Sequence, residues 1–201
     1  MKPILIVPGL GGSDEHHWQT HLERSFPHAR RVHQADWDRP DRAAWIARLA
    51  AAVAAAPGAV LVAHSLGCAV VAHLASARPD LAVGAALLVA PADVDDAGSP
   101  QLAVFAPMPR RPLAFSSLVV ASRDDPFMRF DRAVALARSW DADFIDAGAS
   151  GHINVAAGFG RWLAAESLVE SLSRGVRAAI PRGVPPPQTR RTVRVGYGRM
   201  A

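Results

Sequence analysis

Residues 63–67, Ala63-His64-Ser65-Leu66-Gly67, set a serine between the apolar run Ala59-Val60-Leu61-Val62-Ala63 and a helical pattern that opens at residue 66. A strand, a sharp turn and a helix in that order can lift a serine Oγ clear of the backbone for nucleophilic attack. Such a turn needs small residues two before and two after the serine; Gly67 meets the demand fully and Ala63 approximately. The helix N-terminus behind Ser65 presents free N–H groups that favour a developing anion. A serine at such a junction can also be a simple helix cap, but here all three parts of the motif are present.

A tetrahedral intermediate needs two preorganised N–H donors. One comes from the residue after the nucleophile, here Leu66. The other is assigned to Leu10 in Pro8-Gly9-Leu10-Gly11-Gly12-Ser13, where glycines let the backbone approach a substrate closely. A glycine-rich turn might instead cradle a phosphate, yet this one lacks the lysine of a P-loop and the dinucleotide-binding spacing. Downstream come Ser122-Arg123-Asp124-Asp125-Pro126-Phe127 and then Ala149-Ser150-Gly151-His152-Ile153-Asn154. The order serine, acid, histidine suits a serine hydrolase, with His152 as general base and a carboxylate orienting it. Of the eight histidines, His152 alone follows the acid. Order leaves Asp124 and Asp125 both open; Pro126 holds the residue before it extended, which favours Asp125.

The elements that must position these residues alternate. Short apolar runs at 4–7, 59–63, 85–90 and 117–121, with weaker ones at 31–35 and 143–147, read as strands buried on both faces. Helical stretches fall near 16–25, 41–56, 66–78, 130–140 and 159–173. Asp41 can cap the second, Pro57-Gly58 stops it, and Pro79 stops the third. The alternation predicts a doubly wound α/β domain. Ser65, the Asp124/Asp125 pair and His152 then share the carboxyl edge of the sheet, where such folds bind ligands. The proline-rich stretch 91–116 has no period and is long enough for a lid or binding loop.

Composition limits the alternatives. The net charge of +4 comes from the tail: seven arginines and no acid lie from residue 174 onward, leaving 1–173 at fifteen basic and eighteen acidic residues, a net of −3. A basic tail on a mildly acidic body argues against a nucleic-acid partner, which needs a basic folded face. The tail, with Pro181 and Pro185-Pro186-Pro187, has little to bury and is expected to be disordered. The domains are thus expected as 1–173, folded, and 174–201, an Arg/Pro-rich tail. No apolar run is long enough to span a bilayer, and the N-terminus lacks the marks of a secretory signal. The expected location is cytoplasmic. A single cysteine, Cys68, excludes an internal disulfide and a multi-cysteine metal site; it reads as a buried small hydrophobe. No metal, nucleotide or flavin cofactor is implied.

The chain resembles the family of small serine hydrolases that includes retinoblastoma-binding protein 9 and the bacterial YdeN-like hydrolases. The resemblance rests on Val7-Pro8-Gly9 with Gly11-Gly12, His16-His17-Trp18-Gln19, Asp36-Trp37 with Pro40 and Trp45, the 63–67 turn, Ser122–Phe127, and Gly151-His152-Ile153-Asn154. It covers about 1–170 and leaves out the tail; Ala63 departs from the family's commoner glycine. It implies a reduced α/β-hydrolase fold without a large cap, a six-stranded parallel sheet of order 2-1-3-4-5-6, and Asp125 as the acid.

Other residues carry weaker readings. Trp18 and Phe127 are candidates for substrate contact, Trp18 as a pocket wall or equally as a core aromatic. Phe105 and Met108 are candidate lid contacts, while His16 and His17 belong at the entrance or on the surface. His64 supports the turn, His73 is structural, and Asp36-Trp37 anchors the end of the second strand. The expected function is hydrolysis of a small ester, thioester or amide through an acyl-enzyme. The competing reading is a hydrolase scaffold kept as a protein-binding module, which leaves room for a protein partner.

Overall fold

The computed structural model describes residues 2–96 and 98–175. The tail expected to be disordered lies, from 176 on, outside the described residues. Six strands form one sheet: β1 (Ile4–Val7), β2 (Ala29–Arg31), β3 (Ala59–His64), β4 (Val83–Val89), β5 (Ser117–Ala121) and β6 (Asp143–Asp146). Their order is β2-β1-β3-β4-β5-β6, and every pairing is parallel. This is the order implied by the resemblance.

Strand composition follows from cover on both faces. In β1, Leu5 and Val7 face a core shared with Leu49, Val70, Val71 and Leu136, on helices α2 (Arg42–Ala55), α3 (Leu66–Ala77) and α5 (Phe130–Ser139). Ile4 and Ile6 face the opposite core with Leu22, Leu168 and Val169, on α1 (Trp18–Ser25) and α6 (Leu163–Ser173). Alternate residues of a strand thus enter different cores, both apolar, and no polar alternation remains in the sequence. Asp41 caps α2 as expected, accepting from the Ala44 N–H at 2.7 Å. A cap of this kind contributes about 1 kcal/mol.

Three expectations need adjustment. β2 occupies 29–31 instead of 31–35, because the chain turns off the sheet after Val32 donates to the Ile6 carbonyl. The last helix starts at Leu163, not 159, since 155–157 form a separate 3-10 turn. The third concerns 91–116, which is no loose lid. A short helix α4 (Pro100–Ala103) breaks it, and Phe105 and Met108, expected as lid contacts, are buried in the core. Polar bonds seal the segment down: His73 Nε2 to the Phe105 carbonyl at 2.7 Å, Met108 N–H to Asp95 at 2.7 Å, and Trp140 Nε1–H to the Pro109 carbonyl at 2.8 Å. The stretch lacks a period because its order comes from tertiary bonds, not from regular structure.

Candidate active site

Ser65 occupies the single residue between β3 and α3 with φ 54° and ψ −123°. A non-glycine residue there carries strain of about 1–3 kcal/mol. Its surroundings hold it in place. The Ser65 N–H donates to the Val89 carbonyl at 3.0 Å, tying the turn to β4. A Cβ on Gly67 would fall 2.2 Å from the Val7 carbonyl oxygen, so only glycine lets α3 lie against the end of β1. Ala63 is fully buried and tolerated, so the strict glycine requirement falls on Gly67.

The loop after β1 presses on the same turn. A Cβ on Gly9 would lie 2.9 Å from the Ser65 Cβ and 3.1 Å from the Leu66 nitrogen. Gly11 donates to the Trp37 carbonyl at 3.0 Å and Gly12 packs on the Trp37 ring. Trp37, expected to anchor a strand end, therefore braces the glycine loop. Neither the Leu10 nor the Leu66 N–H donates to a described residue, and for Leu66 the helix geometry requires this.

His152 Nδ1 lies 2.9 Å from both carboxylate oxygens of Asp125, and the two side chains are 8% and 2% exposed. Asp125 Oδ1 also accepts the Phe127 N–H at 2.9 Å, which fixes its rotamer. The neighbouring Asp124 accepts from Ser122 Oγ–H at 2.7 Å and from the Gly151 N–H at 2.8 Å. Those two bonds, in that order, hold its carboxyl below the usual carboxylate range. Asp124 thus grips the loop that carries His152.

Ser65 and His152 border one cleft of about 560 Å³, with Leu10, Leu102, Phe127 and Val155 among its walls. No hydrogen bond joins Ser65 to His152 directly, and among the described residues His152 Nε2 has no hydrogen-bond partner. Phe127 is half exposed, its ring 4.6 Å from that of His152. Trp18, by contrast, is 1% exposed and forms no part of the cleft wall. It lies behind the His152 loop, donating through Nε1 to the Ile153 carbonyl at 2.9 Å and packing edge-on against Trp162. The pocket-wall reading of Trp18 is corrected to the core reading. Its size and apolarity outweigh its place next to the glycine loop.

Gln19, which type and spacing did not single out, and His17, which they placed at the entrance or on the surface, complete the arrangement. Gln19 is fully buried; its amide donates to the Val62 and Val7 carbonyls at 2.9 and 3.3 Å and accepts from Ser13 Oγ–H at 2.7 Å. A buried glutamine on an apolar helix face is the signal that could have found it. His17 lines the cleft, whereas His16 is exposed. His17 caps α1, its Nδ1 accepting the Gln19 N–H at 3.2 Å, and burial pushes its imidazole down to about 4 against the opposing pull of Asp14. His64 stands between the two cleft histidines, 4.9 Å from each ring. Its Nε2–H donates to the His152 carbonyl at 2.9 Å, and burial keeps it well below the ordinary imidazole range. Cys68, one turn into α3, is buried with its thiol raised by that burial, its Sγ 3.5 Å from the Val89 carbonyl.

Among the described residues no helix is long and apolar enough to cross a membrane. None of them form a group of three or more His, Cys, Asp or Glu side chains that could hold a metal ion.

Comparison with known proteins bears on the fold and the family. A solved protein of Pectobacterium atrosepticum, described as a YdeN-like hydrolase, is 32% identical over 87% of this chain and 91% of its own, with a TM-score of 0.79. The ydeN gene product of Bacillus subtilis, 22% identical, shares the fold over 86% of this chain and 98% of its own at a TM-score of 0.72. So does the esterase domain of a Rhodothermus marinus protein, 15% identical over 87% and 88% at 0.64. No curated protein matches the chain. The family model described as serine hydrolase matches residues 4–171. With its single parallel sheet and a strained serine at the carboxyl edge, the chain belongs to the serine hydrolase family.

Proposed function

We propose that the protein hydrolyses small carboxylic esters or related acyl bonds through an acyl-enzyme on Ser65, with His152 as base and Asp125 as its orienting acid. The observation that carries this reading is the pair of 2.9 Å contacts between His152 Nδ1 and Asp125 on the cleft that holds Ser65. In the first half-reaction Ser65 Oγ attacks the acyl carbonyl as its proton passes to His152 Nε2. The oxyanion takes the Leu10 and Leu66 N–H groups, and the C–X bond breaks as His152 returns the proton to the leaving group. Water then repeats the sequence and releases the acid. Asp125 accepts the Nδ1–H of His152 and holds the ring in the tautomer that turns Nε2 to the reaction.

Apolar walls and a volume of about 560 Å³ suit a short acyl chain and a modest leaving group. The cytoplasmic location expected from the sequence belongs to the same reading. Treatment with an active-site-directed fluorophosphonate tests it: intact mass should show one adduct on the wild type and none on Ser65→Ala. An equal adduct on the variant removes Ser65 from the role. No adduct on the wild type favours the protein-binding reading of the scaffold.

A further inference from the structure

His17 is a buried polar side chain, 5% exposed, on the wall of the Ser65 cleft. Its Nδ1 is already occupied, accepting the Gln19 N–H at the cap of α1. A neutral imidazole with an accepting Nδ1 carries its proton on Nε2. That Nε2–H has no protein acceptor among the described residues, yet it is not sealed away from solvent. The ring cannot turn aside: His64 packs edge-on at 4.9 Å and the Trp18 ring lies 5.5 Å away. The cleft therefore holds a fixed, uncharged donor besides the two backbone N–H groups assigned to the oxyanion.

We infer that His17 is a specificity-determining residue, its Nε2–H donating to a second acceptor oxygen on the substrate, apart from the scissile carbonyl. This rests on the hydrolase reading above and narrows it: the preferred substrate carries a ketone, hydroxyl or ether oxygen near the bond that is cut. Water satisfies the donor in the free protein. A substrate without the oxygen expels that water and leaves the N–H unpaired, whereas one with the oxygen replaces it. Sites built to hydrogen-bond a substrate group discriminate against analogues lacking it far better than apolar pockets discriminate by size.

Matched substrates and two variants test the inference. On the acyl side the pair is 4-nitrophenyl 4-oxopentanoate and pentanoate; on the leaving-group side it is 2-methoxyethyl and butyl butyrate. The wild type should favour the oxygen-bearing member of at least one pair by about tenfold in kcat/KM, the scale of one neutral hydrogen bond. His17→Asn keeps an acceptor for the helix cap but places no donor at the Nε2 position. Whatever its turnover of the plain ester, it should bring the ratio of kcat/KM between the two members of the pair to about one. His17→Gln, which can set an amide N–H near the Nε2 position, should retain part of the preference even if its Tm falls. No preference in either pair, or a preference that survives His17→Asn, overturns the inference while leaving the hydrolase reading intact. A wild type that cleaves none of the four esters overturns both.

Discussion

Trp18 Nε1–H reaches the Ile153 carbonyl at 2.9 Å across 135 residues of sequence. Ile153 follows the proposed base and has φ 48°, a conformation that a β-branched residue rarely adopts. The indole thus anchors the backbone at a strained point directly beside His152. Trp18→Phe keeps most of the buried ring and leaves that carbonyl unpaired. It should cost about 1–3 kcal/mol in stability and lower kcat about tenfold through a displaced His152. Urea titration and steady-state kinetics on one ester check both. An unchanged kcat would show that the bond serves folding alone.

The two adjacent aspartates should separate sharply. Asp125→Asn retains shape but favours the wrong tautomer of His152, at a cost on the order of 10⁴ in turnover. Asp124→Asn still offers an oxygen to Ser122 and Gly151 and should lose about tenfold or less, since what weakens is only a loop brace. Asp124→Ala, which releases the Gly151 N–H altogether, should fall between them. Side-by-side kcat values rank the three; the reverse ranking would reassign the acid.

The turn around Ser65 makes a structural prediction. Gly67→Ala drives a methyl into the Val7 carbonyl and should cost more than about 3 kcal/mol, if the chain folds at all. Ala63→Gly should cost only about 1 kcal/mol, mainly as chain entropy. Thermal melts of the two variants provide the check.

Stability should also respond to acid with a defined sign. His17 titrates near 4 when folded, against about 6.5 when free. The unfolded chain therefore binds the extra proton across that window, and stability falls as pH drops from 6.5 toward 4. The contribution is about 3 kcal/mol, and His64, depressed by the same cause, adds in the same direction. Denaturant midpoints at pH 7 and pH 5 should show the loss, and His17→Asn should lessen it.

Every described residue that lines the cleft precedes 174. A chain ending after Ser173 should therefore keep the wild-type kcat on a small ester. Loss of turnover in a folded truncation would tie the arginine-rich tail to the site.

The strands were legible because parallel strands covered on both faces are continuous apolar runs, and four of the six stood out. β2 and β6 were blurred: Ala29–Arg31 and Asp143–Asp146 are the two outermost strands of the sheet, where polar residues dilute the signal. Ser65, Asp125 and His152 could be proposed from the sequence because each sits in a turn whose neighbours are constrained. The inward place of Trp18 and the role of Gln19 were not legible, and for His17, consecutive with them, the sequence leaves entrance and surface both open. One lies behind the site, one holds two strand carbonyls, and one faces the cleft. Which side of a helix's first turn meets which neighbour is decided by tertiary packing, and a local window does not contain it.

The burial of Cys68 has a practical consequence. The only thiol in the chain is enclosed by α3 and β4 and resists ionisation, so a maleimide or iodoacetamide dye should leave the native protein untouched. The molecule is a ready background-free carrier for one engineered label. Val155→Cys, at a position 38% exposed on the cleft wall, would put a fluorophore where ligand arrival changes its brightness. Binding could then be timed separately from turnover, one molecule at a time.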